Sequence, residues 1–311
     1  MPALPVFFDC DTGIDDSLAL AQLVSRTDVD LVGISTVSGN TDAAQAARNT
    51  LDLLALLGRD DVPVAVGEHH PIAGDYAGGA PEVHGGNGIG DVELPRATRP
   101  VAAATGAEQL VATAREHAGR LHLIAVGPLT NLAKALDQAP DLPGLVGHVT
   151  IMGGAVWHEG NITPHAEANI HNDAEAAARV LGAGWPVTLV PLDVTMTHSL
   201  DGAAQAALAA RGTTFHDALA GMLDCYFSFH EDRYGRRISA LHDPMATMLA
   251  TGQVTATTVR STGIRVELEG ETRGRTVAVE AGAQHPAVDV VTEIADPVGP
   301  WLLESLLGLS A

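Results

Sequence analysis

Four aspartates, Asp9, Asp11, Asp15 and Asp16, fall within eight positions near the amino terminus. Carboxylates a few ångströms apart raise one another's pKa unless protons, water or a cation offset their charge. Carboxylate oxygens without a soft ligand suit a hard divalent cation such as Ca²⁺ or Mg²⁺. The spacing therefore predicts a divalent-metal site with Asp11 and Asp16 as direct ligands.

Each of these acids also has a simpler interpretation. Asp9 could form a turn, while Asp15 and Asp16 could be first-turn acids that interact favourably with a helix dipole. Single acids of this kind are common, so it is the group of four that favours the metal interpretation.

The segments around the aspartates predict how the chain positions them. The apolar run 6–8 precedes the acids and the helical pattern 17–24 follows them, which indicates a strand, a loop and a helix. The carboxylates then lie at the carboxyl end of a strand, where open α/β sheets bind their ligands.

The rest of the chain continues this alternation of strands and helices. Buried-strand patterns recur at 30–37, 62–66, 121–126, 149–152 and 186–191, with helical segments between them. Segment 67–100 lacks periodicity and contains eight glycines, which is typical of a functional loop. Segment 254–291 alternates in polarity like antiparallel strands, before a last helix near 297–307. We predict one α/β domain over residues 1–311, with an open, mostly parallel Rossmann-like sheet flanked by helices and an antiparallel extension near the carboxyl terminus.

Composition excludes several functional classes. The net charge of −21 over 311 residues argues against a nucleic-acid partner, which needs cationic groups. The sequence has neither a signal-peptide pattern nor an uncharged apolar run long enough to cross a membrane. Cys10 and Cys225 are too few for a disulfide framework. We therefore expect a cytoplasmic protein without a membrane partner.

Taken alone, the motif at 9–13 is compatible with a phosphatase. It is an imperfect version of Asp-x-Asp-x-Thr and resembles the first motif of haloacid-dehalogenase-type phosphatases, in which Asp9 would be the nucleophile and Asp11 the general acid. That family also needs a later Lys or Arg to hold the phosphate. The only lysine is Lys134, placed in the middle of a predicted helix after Asn131, which disfavours this alternative.

Further motifs recur in a fixed order along nearly the whole chain. They are DCDTGIDD at 9–16, SGN at 38–40, VHGGNG at 83–88, VGPLTN at 126–131, IMGG at 151–154, GNITPHAEAN at 160–169 and LHDP at 241–244. Together they resemble the inosine-uridine-preferring nucleoside hydrolases, whose amino-terminal signature looks like DCDxGxDD. The resemblance implies an enzyme that hydrolyses the N-glycosidic bond of purine or pyrimidine ribonucleosides to ribose and free base.

The resemblance also implies a Ca²⁺ ion and residues with defined roles. The expected metal ligands are Asp11, Asp16, Asp243 and the carbonyl of Val126. The ion would lower the pKa of a bound water and hold the ribose diol, and Asp11 would be the general base. His242, helped by a pKa near neutrality, would protonate or hydrogen-bond the departing base.

The same resemblance assigns the nucleoside contacts. The sugar hydroxyls would be bound by Asp15, Asn40, Asn161, Glu167 and Asn169. Met152 would pack below the ribose, and His84 would approach the base from the glycine-rich loop. Apart from the resemblance, His230 and Tyr234 lie on one face of a predicted helix and could line the base pocket. Ala168 stands where the family commonly has Phe, so the wall near the sugar's 5′ end looks thinner. Relatives form dimers or tetramers, and we expect a homo-oligomer.

Simpler interpretations remain for single residues, and one alternative remains for the whole site. Asn40 and Asn131 could be turn or cap residues, the latter more readily a helix cap. Glu167 could be a solvated loop carboxylate, and His242 a satisfied histidine at a helix start. A nucleoside or sugar sensor that kept the metal site but lost turnover is the non-catalytic alternative.

Overall fold

The computed structural model describes residues 2–310 and contains a nine-stranded sheet of order β10-β9-β11-β6-β5-β4-β1-β2-β3. The strands are β1 Leu4–Cys10, β2 Val29–Thr36, β3 Val64–Val66, β4 Leu121–Ala125, β5 Val146–Met152, β6 Val187–Val190, β7 Ser199–Asp201, β8 Ile238–Ala240, β9 Ala256–Val266, β10 Thr276–Val279 and β11 Ala287–Ile294. Strands β7 and β8 form a separate antiparallel pair.

Thirteen helices occur among the described residues. They are α1 Ile14–Ser25, α2 Ala43–Leu56, α3 Pro81–His84, α4 Gly106–Glu116, α5 Thr130–Gln138, α6 Leu142–Leu145, α7 Ala168–Asn172, α8 Ala174–Leu181, α9 Leu192–Thr195, α10 Gly202–Ala209, α11 Thr214–Tyr234, α12 Asp243–Ala250 and α13 Val298–Leu307. None of the helices within residues 2–310 is long and apolar enough to cross a membrane.

Strand β1 lies near the centre of the sheet and is buried on both faces. It pairs in parallel with β2 on one side and β4 on the other. Its neighbours Phe7 and Phe8 are both fully buried, and each packs in a different apolar cluster. Successive side chains of a strand point to opposite faces, so these two clusters are the cores on either side of the sheet.

The predicted fold class is confirmed. Strands β1 to β6 pair in parallel, and β9 pairs antiparallel with both β10 and β11. Strand β11 returns to the main sheet through a parallel pairing with β6. The carboxyl ends of β1, β2, β4 and β5 meet at one edge, and five of the motifs identified above begin at or follow these ends. The motif at 83–88 follows β3, and the motif at 241–244 follows β8.

Two local predictions were wrong. Loop 67–100 contains the short helix α3, which is too brief to give a periodic sequence signal. Asn131 does not cap α5, since it lies one residue inside the helix and its side chain bonds elsewhere.

Candidate active site

Three carboxylates from two separated helices converge at the carboxyl edge of the sheet. One oxygen from each of Asp15, Asp16 and Asp243 lies within 4.8 Å of the other two. The first two residues belong to the start of α1 and the third begins α12, so the fold joins acids that are far apart in sequence. All three are buried, which is an unfavourable environment for charges without a counter-ion.

Asp16 fixes the turn that holds this group together. Its carboxylate accepts hydrogen bonds from the amide of Asp11 at 3.1 Å and from the amide of Gly13 at 2.8 Å. Asp16 is therefore a first-turn acid, as the simpler interpretation has it, and it also faces the other carboxylates. Both sequence interpretations apply to this residue.

Asp11 lies beside Asp16 and is held from the opposite side by the loop after β2. Its Oδ2 accepts a hydrogen bond from the amide of Asn40 at 2.7 Å, and the Asn40 side chain donates to Asp16 at 3.1 Å. A Cβ on Gly39 would lie only 2.0 Å from Oδ2 of Asp11. The glycine is therefore needed for the loop to approach the carboxylate this closely.

Burial and mutual repulsion make these acids hard to ionise on their own. The pKa of Asp15 is raised from 3.8 to about 8 by burial and then by the charge of Asp16. The pKa values of Asp11 and Asp243 are raised well above their usual range, first by burial and then by the neighbouring aspartates. Within residues 2–310 no Lys, Arg or His forms an ion pair with any of the four.

The donor set fits a divalent cation. Oδ1 of Asp11 and Oδ1 of Asp15 are buried and have no hydrogen-bond partner among the described residues. The carbonyl of Val126 accepts one hydrogen bond from Nδ2 of Asn169 at 2.8 Å, which leaves it a second lone pair. Hard oxygen donors with spare lone pairs and excess negative charge are the environment that Ca²⁺ or Mg²⁺ prefers.

A cavity of about 280 Å³ opens above the acid cluster. Of the residues that the sequence analysis assigned to nucleoside hydrolysis, nucleoside binding or the metal, only Asp11 and Asp16 are absent from its lining, and both are buried. The predicted residues in the lining are Asp15, Asn40, His84, Val126, Met152, Asn161, Glu167, Asn169, His230, Tyr234, His242 and Asp243. Residues from seven sequence motifs and from helix α11 thus share one cavity.

One end of the cavity is built by the loop before α7. Glu167 caps that helix, and its carboxylate accepts hydrogen bonds from the amides of Gly154, Asn169 and Ile170. Because it is only 2% exposed, its interpretation as a solvated carboxylate was wrong. Asn161 accepts a hydrogen bond from the amide of Ala168 at 2.9 Å, which fixes its side-chain oxygen.

Three imidazoles surround the other end of the cavity, and burial keeps them neutral. The pKa of His242 is lowered from 6.5 to about 3 by burial and then by His230 and His84. That of His84 is lowered to about 3 and that of His230 to about 4, in both cases chiefly by burial. The expectation that His242 has a pKa near neutrality was therefore wrong, because the sequence did not reveal how deeply it is buried.

Hydrogen bonds orient two of these rings. Nδ1 of His84 accepts from the amide of Ile14 at 3.1 Å, so the neutral ring carries its proton on Nε2. Nδ1 of His242 lies 2.8 Å from Oγ1 of Thr195. When that hydroxyl donates, His242 also presents an Nε2 proton, and both rings can act as donors.

Two neighbours of the predicted residues complete the site. The Tyr226 hydroxyl donates to Oδ2 of Asp15 at 3.3 Å, and its ring centroid lies 5.5 Å from that of His84. The sequence signal for Tyr226 is its spacing of four from His230, which places both on one face of α11. Thr195 has no comparable signal, since nothing in its local sequence links it to the histidine.

Asp9 lies outside this cavity. Its carboxylate accepts hydrogen bonds from Nδ2 of Asn131, which also donates to the carbonyl of Thr36. Burial raises the pKa of Asp9 to about 7. Neither Asp9 nor Lys134 lines the cavity, so the arrangement does not favour a phosphatase with Asp9 as nucleophile.

Comparisons with known proteins agree with this geometry. The family model described as "Inosine-uridine preferring nucleoside hydrolase" matches residues 6–298. A pyrimidine-specific ribonucleoside hydrolase RihA from Citrobacter koseri is 36% identical over 277 residues, covering 88% of each chain. A probable uridine nucleosidase 2 from Arabidopsis thaliana is 35% identical, over 88% of this chain and 84% of the relative.

Solved structures show the same fold. The plant nucleoside hydrolase PpNRh1 superposes with a TM-score of 0.93 at 28% identity and covers both chains completely. A purine-preferring ribonucleoside hydrolase from Gardnerella vaginalis gives a TM-score of 0.93 at 31% identity over 98% of each chain.

Proposed function

This chain belongs to the inosine-uridine preferring nucleoside hydrolase family, and from that premise we propose how its cavity carries out the reaction. The enzyme hydrolyses the N-glycosidic bond of ribonucleosides to ribose and free base. The observation that supports the assignment of roles is the pair of buried, unpartnered carboxylate oxygens beneath a cavity lined by neutral histidines.

The metal-binding residues in this proposal are Asp11, Asp16, Asp243 and the carbonyl of Val126, and the ion is Ca²⁺. When bound, such an ion lowers the pKa of a water molecule and binds vicinal hydroxyls. The raised pKa values of the acids support the proposal, because a divalent charge would favour their ionised forms. Asp15 lies within 4.8 Å of two of these ligands, and we assign it to the ribose diol beside the ion.

Asp11 acts as the general base in this proposal. Its Oδ2 is bound to the amide of Asn40, while Oδ1 is free of protein partners within residues 2–310. The free oxygen is the one available to accept a proton from water. Because the hydrogen bond to Oδ2 fixes the carboxylate, Oδ1 also keeps a single position, which is what proton transfer requires.

The remaining polar residues bind the sugar. Asn161 and Glu167 lie at the end of the cavity assigned to the 5′-hydroxyl, and Asn40 and Asn169 lie closer to the acid cluster. Met152 packs under the ribose ring. Ribose has many hydroxyls that need partners once they are buried, and this concentration of amides and carboxylates supplies them.

His242 assists the departing base as a neutral donor. Its low pKa makes an imidazolium a minor species at neutral pH, so the Nε2 proton is offered as a hydrogen bond that strengthens as charge develops on the base. His84 presents a second donor, and His230 and Tyr234 border the same space on α11.

The experiment that tests these roles measures release of reducing sugar from uridine and inosine, with and without chelator. Asp11→Ala abolishes turnover, and the exposed Asp217→Ala on α11 is the control for loss of a carboxylate elsewhere. Turnover at the wild-type rate both in the presence of chelator and in the Asp11→Ala variant would refute the proposal. Tight nucleoside binding without any sugar release would instead favour the non-catalytic sensor.

We extend the proposal to substrate range and assembly. Uridine is expected among the substrates, since the two relatives named above are described as pyrimidine-specific and as a uridine nucleosidase. Residues 1–311 act as one domain, in a dimer or tetramer, in the cytoplasm. Cys10 and Cys225, both free thiols, support a reducing compartment, and light scattering tests the assembly.

A further inference from the structure

A second, smaller cavity of about 100 Å³ adjoins the one described above. The two share lining residues, namely Asn40, Ala80, Glu82, Ile162 and Ala168. The floor of the smaller cavity is the loop after β2 together with Pro128, and its roof is segment 68–80. The smaller cavity therefore lies along the same edge of the sheet as the acid cluster.

The shared boundary contains two very small side chains, Ala80 and Ala168. Ala168 lies between Glu167 and Asn169 and donates its amide to Asn161, so it directly follows one residue assigned to the sugar's 5′ end and contacts another. A methyl group fills little space at this boundary. Ala80 and Ala168 therefore leave room beside Asn40, Glu82 and Ile162 for a substituent on the 5′ carbon.

The smaller cavity has a negative lining. Glu68, Asp75 and Glu82 all contribute to it, and no Lys or Arg is among the lining residues that the structure describes. His70 lies 3.5 Å from Asp75 and is already paired with a carboxylate. An anionic group entering this cavity would meet like charges, whereas a neutral or cationic group would not.

The proximity of the cavity to the acid cluster is also visible in Tyr76. Its pKa is raised to about 12, first by burial and then by the charges of Asp42 and Asp11. The phenol therefore keeps its proton beside the entering group. Its hydroxyl can donate a hydrogen bond to an ether oxygen, and its oxygen can accept one from a protonated amine.

We propose that this second cavity receives a short neutral or cationic substituent on the 5′ carbon, so that the enzyme hydrolyses 5′-extended nucleosides and rejects 5′-phosphates. The proposal rests on the proposed orientation of ribose in the main cavity. A volume of 100 Å³ holds about three non-hydrogen atoms beyond the sugar carbon, taking a water molecule's share of liquid as the measure.

The test compares four nucleosides that share one base. They are the parent uridine or inosine, its 5′-deoxy-5′-ethylamino and 5′-O-ethyl derivatives, and its 5′-monophosphate. We expect kcat/KM for the two ethyl derivatives within about tenfold of the parent, and a value for the monophosphate at least about 100-fold lower. Hydrolysis of the parent with none of the ethyl derivatives would overturn the proposal.

Variants of the roof separate this cavity from the main one. Ala77 lines only the smaller cavity, and Ala73, in the same exposed segment, lines neither. Ala77→Leu should lower kcat/KM for the ethyl derivatives about tenfold and leave the parent unchanged, with Ala73→Leu as the matched control. Equal losses on parent and derivatives would contradict the proposal.

Charge provides an independent arm of the same test. Glu68→Gln with Asp75→Asn removes two charges from the smaller cavity only. The double variant should hydrolyse the monophosphate at least about fivefold faster than wild type, with the parent unaffected. No gain on the monophosphate would contradict the electrostatic selection. If the wild-type protein does not hydrolyse the parent nucleoside, the proposed function itself is refuted.

Discussion

Gly39 is the position where one added methyl group should disturb catalysis most. A Cβ there would lie 2.0 Å from Oδ2 of Asp11 and 2.8 Å from Cδ of Pro128. Ordinary contact begins near 3.4 Å, so the carboxylate must move by roughly 1.4 Å. It cannot rotate away freely, because Oδ2 is bound to the amide of Asn40 at 2.7 Å.

A displacement of this size in a general base costs about 100-fold in kcat. We therefore expect Gly39→Ala to lower kcat about 100-fold for uridine or inosine at saturating Ca²⁺. Gly127→Ala should cost less, about tenfold, because its Cβ would lie 3.1 Å from Oδ1 of Asp11. Gly202→Ala is the control, since nothing lies within 4 Å of its added Cβ.

The assay is steady-state release of reducing sugar, accompanied by thermal unfolding of each variant to show that it is folded. The ranking of the three variants is the informative result, because it follows the distances to one carboxylate. A folded Gly39→Ala protein whose kcat stays within twofold of wild type would refute the role given to Asp11.

Four further predictions concern other residues of the site and its surroundings. In chelator, the free energy of unfolding should fall as pH rises from about 4 towards 8. The reason is that Asp15 has a pKa of about 8 in the folded chain but 3.8 in the unfolded chain, so between these values only the folded chain keeps the proton. At pH 8, Ca²⁺ at about 100 times its Kd should then raise Tm by roughly 5–10 °C, and equal Tm values with Ca²⁺ and with chelator would contradict this. Thr195→Val removes the hydroxyl beside His242 and should lower kcat for nucleosides about tenfold. For 4-nitrophenyl riboside, whose leaving group needs no donor, kcat should fall less than threefold. Equal losses of kcat on both substrates would count against the role of His242 as a donor. Asn131→Ala leaves the amide of Glu68 and the carboxylate of Asp9 without this hydrogen-bond partner. It should lower the free energy of unfolding, measured in urea, by about 2–4 kcal/mol with little loss of kcat. An unchanged urea midpoint would show that this network is not stabilising.

The sequence predicted the parts of the site that lie where strands end. Asp11, Asn40, Val126 and Met152 all lie within a few residues of a strand's carboxyl end, and parallel pairing brings those ends together. That inference needs only the order of strands and helices, which the hydrophobic periodicity provides. The fold class could be predicted for the same reason.

Properties that depend on depth or on contacts between distant segments could not be predicted. The pKa of His242 is low because the ring is buried and because His230 and His84 lie near it, and neither cause is local to its motif. The contact with Thr195 joins residues 47 positions apart without any shared pattern. Ala168 pointed to a thin wall near the sugar, but only the folded chain shows a cavity behind it.

Calcium titration into chelator-treated protein, followed by isothermal calorimetry, tests the central claim most directly. The account predicts one saturable site per chain in the wild type and no measurable site in Asp16→Asn, with Asp217→Asn binding like wild type. Absence of calcium binding in the folded wild type, or unchanged affinity in Asp16→Asn, would contradict the claim that the buried aspartates hold a divalent cation.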